Sequence, residues 1–290
     1  MKTTFLLFVS MLSIAFFISC SSNETVDVTA TSKTISADDA VVNSEIDASV
    51  DDVSVIVEDQ FSIEQSAGAK TSAPIKRMLP PCASVTRDLA NDIYTKTIDF
   101  GTVGCAMPNG NILKGKIIIS FSKNSTTPTK TISYTLEGFY HNGSLIEGSK
   151  TITRELEKSD LLADIHPITT HAIELKITKS YGKVYTRIGT RVREMVGGFE
   201  TIGDWEDNVF KVWGSNITTF PNGSKYSSTI KTPLLITASC KMPFPVNGIV
   251  DINKNDVLAT LDYGNGECDN LATMTTNGES KVIELKKKKM

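Results

Sequence analysis

The spacing of apolar side chains changes once along this chain. Between residues 36 and 62, Val42, Ile46, Val50, Val53, Val57 and Phe61 recur at intervals of three and four, which places them on one face of an α-helix. Ser36 and Asp39 stand where a capping box would start that helix. An apolar stripe of this kind must pack on something, and docking on the rest of the chain or a short helical stalk is expected.

From Pro80 onward the period becomes two. Ile132, Tyr134 and Leu136 alternate with Thr131, Ser133 and Thr135; Ile173, Leu175 and Ile177 alternate with Glu174, Lys176 and Thr178. Val257, Ala259, Leu261 and Tyr263 share a face against Leu258, Thr260 and Asp262. Each run is apolar on one side and polar on the other, the pattern of antiparallel strands with one wet face. Asn-Gly pairs beginning at Asn109, Asn142, Asn222, Asn247, Asn265 and Asn277 offer the positive φ angles of tight hairpins, Asn142 most clearly. The expected fold is all-β, an antiparallel strand meander forming a sandwich, an open barrel or a long curved sheet, preceded by an N-terminal amphipathic helix. Further helix is expected only near 158–165.

The start of the chain adds an address. Lys2 precedes an apolar run over residues 5–18, then Ser19 and Cys20. At ~1.5 Å per residue this run spans only about 21 Å, short of a bilayer's hydrocarbon core, so it reads as an export signal rather than a membrane span. A small residue before a cysteine resembles a bacterial lipoprotein signal, in which Cys20 is lipidated and becomes the mature N-terminus. The expected division is a signal peptide at 1–19, an acidic tether and helix at 20–77, and a β body at 78–290. Residues 25–34 read as flexible.

Charge sharpens this division. The 290-residue chain has a formal charge of -3, which gives no footprint for nucleic acid. Residues 20–76 hold 11 acidic and 3 basic side chains, whereas the rest of the mature chain is net basic.

Four further cysteines, Cys82, Cys105, Cys240 and Cys268, make an even number in an exported chain and are expected to be oxidised. Thr97-Ile98-Asp99-Phe100-Gly101 precedes Cys105 by the same offset at which Thr260-Leu261-Asp262-Tyr263-Gly264 precedes Cys268. The echo favours pairing Cys82 with Cys105 and Cys240 with Cys268, closing two equivalent hairpin-like units. These segments, with Gly115-Lys116-Ile117-Ile118, Glu147-Gly148-Ser149-Lys150-Thr151 and Thr190-Arg191-Val192-Arg193, resemble a family of uncharacterised lipoproteins from Bacteroidota. The resemblance implies an exported, disulfide-bearing β protein and brings no established activity.

No catalytic constellation, metal site or cofactor motif stands out. His141 precedes the Asn142 turn and reads as a solvated hairpin tip. His166 and His171, five residues apart around Pro167, lack the spacing of helical metal ligands. Asp251, Asn253, Asn255 and Asp262 imitate part of a calcium loop, but Asp256 stands where glycine is needed, and a polar hairpin turn explains them better. Trp205, flanked by Asp204, Glu206 and Asp207, and Trp213 are candidates for an aromatic platform, with Trp213 expected to pack in the sheet. The lysines at 286–289 read as a solvated tail. The functional expectation is a non-enzymatic lipoprotein held to the outer membrane through Cys20, binding an unidentified protein, glycan or lipid. The alternative is a lipid carrier with a half-barrel cavity, and a filled or empty concave face separates the two.

Overall fold

A computed structural model describes residues 34–66, 77–123 and 127–285. The expected signal peptide at 1–19, Cys20 and the terminal lysines lie outside the described residues. Helix α1, Ala37–Ser66, is followed by strands β1 (Ser84–Ala90), β2 (Ile93–Asp99), β3 (Cys105–Ala106), β4 (Ile112–Ser122) and β5 (Lys130–His141). Then come β6 (Ser144–Glu147), β7 (Ser149–Glu157), β8 (His166–Thr178), β9 (Val184–Gly197) and β10 (Val209–Thr219). The series closes with β11 (Lys225–Thr237), β12 (Asn247–Lys254), β13 (Val257–Asn265), β14 (Leu271–Thr276) and β15 (Glu279–Glu284). Residues 158–165 form an irregular loop rather than the further helix anticipated there.

The strands form one antiparallel sheet whose order nearly follows the chain, with β1 and β15 at its two edges. β6 and β7 share one lane between β5 and β8, broken at Gly148. Gly148 has φ 140°, and a Cβ there would lie 2.5 Å from the Glu174 carbonyl oxygen. The break is therefore written into the sequence by a residue with no side chain. Two-residue turns with positive φ at both positions join β1 to β2 (Asn91, Asp92), β5 to β6 (Asn142, Gly143), β12 to β13 (Asn255, Asp256) and β14 to β15 (Asn277, Gly278). This is the twist-matched hairpin geometry. Asn109 and Asn222 sit in longer turns, while Asn247 and Asn265 lie in β12 and β13 and pair with each other.

α1 begins as anticipated: Ser36 N–H donates to Asp39 Oδ2 at 3.2 Å, and Asp39 N–H donates to Ser36 Oγ at 3.1 Å. What the pattern does not convey is how completely the helix is covered. Only Asp38 and Gln65 of its thirty residues are exposed. Glu64 reaches Arg87 of β1, Asp52 reaches His141 of β5, Asp39 accepts from the Tyr226 hydroxyl of β11, and Ser44 meets Tyr263 of β13. One helix touching strands from one edge of the sheet to near the other requires the sheet to curl around it. The core is thus a helix inside an open, curved sheet; among the described residues no second sheet packs on the concave face. Buried serines within α1 fold their hydroxyls back on the preceding turn, Ser49 Oγ to the Ile46 carbonyl and Ser54 Oγ to the Val50 carbonyl, both at 2.7 Å.

Both expected disulfides are present, Cys82–Cys105 and Cys240–Cys268, with Cα–Cα separations of 5.7 and 5.3 Å. The sequence echo before them is a structural one. Gly101 N–H donates to Asp99 Oδ1 at 2.8 Å and Gly264 N–H to Asp262 Oδ1 at 2.9 Å. In each case the aromatic between them, Phe100 or Tyr263, is buried in the core.

Candidate functional site

The interior is unusually ionic, and the ions are ordered by helical spacing. Asn43, Asp47, Asp51 and Glu58 lie at intervals of four, four and seven, which stacks them along one side of α1. Tyr185, Arg187, Arg191 and Arg193 all point inward from β9, while Ile188 faces out and is 53% exposed. The two rows interlock. Arg187 Nη1 pairs with Asp47; Arg191 reaches Asp47 and Asp51, each at 3.0 Å; Arg193 reaches Asp51 at 3.3 Å and Glu58 at 3.2 Å. Removing one member of such a buried set leaves a charge without solvent or partner, which is what makes these pairs costly to break.

Glu58 lies at the end of this row, with His171 Nε2 of β8 3.0 Å from its Oε1. Burial alone would push the Glu58 carboxyl up, but Arg193 and His171, with help from Arg154, hold it below the usual carboxylate range. Burial in turn pushes His171 down from the usual imidazole value against the pull of Glu58, while Arg193 and Lys150 repel its proton. Beside them, Lys150 of β7 and Tyr134 of β5 face inward as a cross-strand pair, and neither head group has a hydrogen-bond partner among the described residues. Burial, reinforced by Arg191, lowers Lys150 to about 7.

His141 is a correction. It is buried, not a solvated tip: Nε2 lies 2.8 Å from Asp52 Oδ2, and Asn109 and Asn111 donate to the two Asp52 oxygens at 2.7 Å. His141 is the last residue of β5 and turns inward under α1. His166 and His171 lie on opposite faces of β8, as an odd separation on a strand requires. His171 meets α1. His166 is enclosed on the convex side by the 158–165 loop, its Nε2 2.7 Å from Glu194 Oε1, with Ser159 Oγ donating to the same oxygen. That oxygen sits between serine and imidazole, so the imidazole is not placed to take the serine proton. No group of three or more metal-ligating side chains occurs among the described residues. Asp251, Asn253 and Asn255 lie on the β12–β13 hairpin, with Asp251 Oδ1 accepting from Thr260 Oγ1 at 3.0 Å.

The Glu58 end of the ionic row borders a cleft. This cleft lies between the second half of α1 and the segment 198–208, lined by Glu58, Asp59, Arg154, Met195, Phe199 and Trp205 among others. It encloses about 50 Å³ and widens at its mouth. Trp205 stands on a 3-10 turn, Trp205–Asp207, started by Asp204 Oδ1 accepting from the Glu206 N–H at 3.3 Å. Trp213 lies on β10 one residue beyond inward-facing Val212, hence on the other face, so the two tryptophans do not form one platform. Arg154 and Asp59 were not singled out by sequence reading. Their only signal was position: Arg154 falls in phase with the inward residues Lys150 and Ile152 of β7.

Comparison of the chain with protein-family models, with curated proteins and with solved structures finds no match, so the chemistry rests on the geometry above.

Proposed function

We propose that this is an exported lipoprotein, anchored to the outer membrane through lipid on Cys20, whose helix-filled β body is a non-enzymatic binding or structural module. The observation that carries the reading is the occupied concave face. A carrier of acyl chains needs unfilled apolar volume there, whereas here that space holds α1, linked by side chains to β1, β5, β8, β9, β11 and β13. The two disulfides fit an oxidising, exported setting. The resemblance to uncharacterised Bacteroidota lipoproteins points the same way, and the binding partner is a protein, a glycan or a small ligand.

Two measurements test this. Cys20→Ser should release the protein from membranes on fractionation, and the wild type should carry an acyl mass on its mature N-terminus. Native mass spectrometry of the purified body should show no bound lipid; stoichiometric acyl species would replace the binder reading by the carrier one.

A further inference from the structure

Arg154 is the one guanidinium at the cleft that lacks a carboxylate of its own. It points inward from β7, opposite Thr169 of β8, and its guanidinium carbon lies 5.5 Å from the centre of the Phe61 ring. Among the described residues it makes no ion pair within 4.0 Å and donates no side-chain hydrogen bond, whereas Arg187, Arg191 and Arg193 each hold one or two carboxylates. Glu58, whose charge acts on it, is already engaged by Arg193 and His171. Arg154 is half-buried; burial opposes its charge and Glu58 supports it. A partly buried guanidinium with no hydrogen-bonded partner presents a forked set of donors matched to a carboxylate.

The walls around it are mixed: Glu58, Asp59 and Asp204 line the cleft with Arg154, and an apolar surface completes it. Met195, Phe199 and Trp205 line the cleft, and Ile202 at its mouth is 44% exposed. The segment carrying them is internally fastened: Asp204 N–H donates to the Thr201 carbonyl at 2.9 Å, and Ala238 N–H ties Asn208 to the far side at 3.0 Å. The enclosed part, about 50 Å³, is a third of the ~150 Å³ that accommodates a benzene ring in a dry core. It admits a head group, with the remainder of a ligand lying across the mouth.

We propose that this cleft binds a small carboxylic acid bearing an apolar group, with the carboxylate held by Arg154 and the apolar part resting on Trp205 and Ile202. The proposal deepens the binder reading and the two fail separately: lipid in the native spectrum overturns the binder reading and leaves this site intact.

The test is titration calorimetry of the purified protein with three probes of one shape, 3-phenylpropionate, its amide 3-phenylpropionamide, and the amine 3-phenylpropylamine. The acid should bind saturably and the amide and amine at least about tenfold more weakly, the loss of one charge-assisted contact. Arg154→Gln should weaken the acid by about tenfold or more while leaving the amide unchanged. Because Arg154 is part of the interior, a second variant guards against misfolding: Ile202→Glu, at an exposed position, should weaken both probes through the lost apolar contact and the acid several-fold more than the amide, because the added charge opposes only the acid. An amine that binds as tightly as the acid, an acid affinity unmoved in Arg154→Gln, or no saturable response to the acid would each overturn the site.

Discussion

The middle of the sheet and its flanks hold the same helix by different means. On the flanks, β4 presents Leu113, Ile117, Ile119 and Phe121, and β12 to β14 present Val250, Ile252, Leu261 and Met274, all buried. Phe121 meets Phe61 of α1 edge to face at a centroid distance of 4.9 Å. In the middle, β7 to β9 present Lys150, His171, Arg187, Arg191 and Arg193 to the helix carboxylates. Apolar contact tolerates a helix sliding or turning by part of a residue. An interlocked row of charges does not, because each displaced carboxylate strands an arginine in a low-dielectric interior. The flanks supply burial; the middle sets the rotation and register of α1.

The largest expected effect breaks the middle. Asp51→Ala leaves Arg191 and Arg193 sharing fewer carboxylates and should lower unfolding free energy by about 3–5 kcal/mol in urea titrations. If the row sets register rather than supplying stability, replacing Asp47, Asp51, Arg187 and Arg191 together by Leu and Met should return most of that loss. Loss of a single well-dispersed set of amide signals in that variant would show what the charges contribute. Next is the flank: Ile117→Ala, at a fully buried site, should cost about 2–4 kcal/mol by the same assay, with α1 keeping its register.

Two smaller effects sharpen the contrast through pH. Lys150 titrates near 7 in the folded protein, well below its unfolded value, so the unfolded chain binds more protons between about pH 7 and 10. Stability should rise with pH across that window, and Lys150→Met should raise stability at pH 7 by about 2 kcal/mol and flatten the rise. Asp59 runs the other way, since burial raises it from 3.8 to about 6. Between those values the folded protein binds the extra proton, so stability from this group falls as pH climbs from 4 to 6. Asp59→Asn should gain about 1 kcal/mol at pH 7 and remove that component of the pH profile.

Much of this architecture was legible in the chain. The alternation at 131–136, 173–178 and 257–263, the capping box at Ser36, the hairpins at Asn142 and Asn277 and both disulfides all stand as read. The site was less legible, for one physical reason: the alternation rule assumes that the inward face is the apolar one. On β9 it is reversed, with Arg187 and Arg191 in and Ile188 out. His141 failed similarly, because its Asp52 partner lies 89 residues away in sequence. The available clue was compositional. α1 carries nine acidic residues and no basic one, and the surplus of bases in the β body is in part the counter-charge to that helix.

The position of α1 at the head of the sequence gives the fold a temporal order. The helix leads the chain, yet its arginine partners follow it by about 140 residues. Until β9 exists, Asp47 and Asp51 lack the arginines that neutralise them, and a lone helix with so many like charges is a poor nucleus. Long-range closure must therefore come late, which makes for a high contact order and slow folding. The same enclosure works in reverse once folding is complete: α1 cannot leave without uncurling the sheet around it. Its amides should therefore exchange with deuterium only through global unfolding, as slowly as those of the central strands.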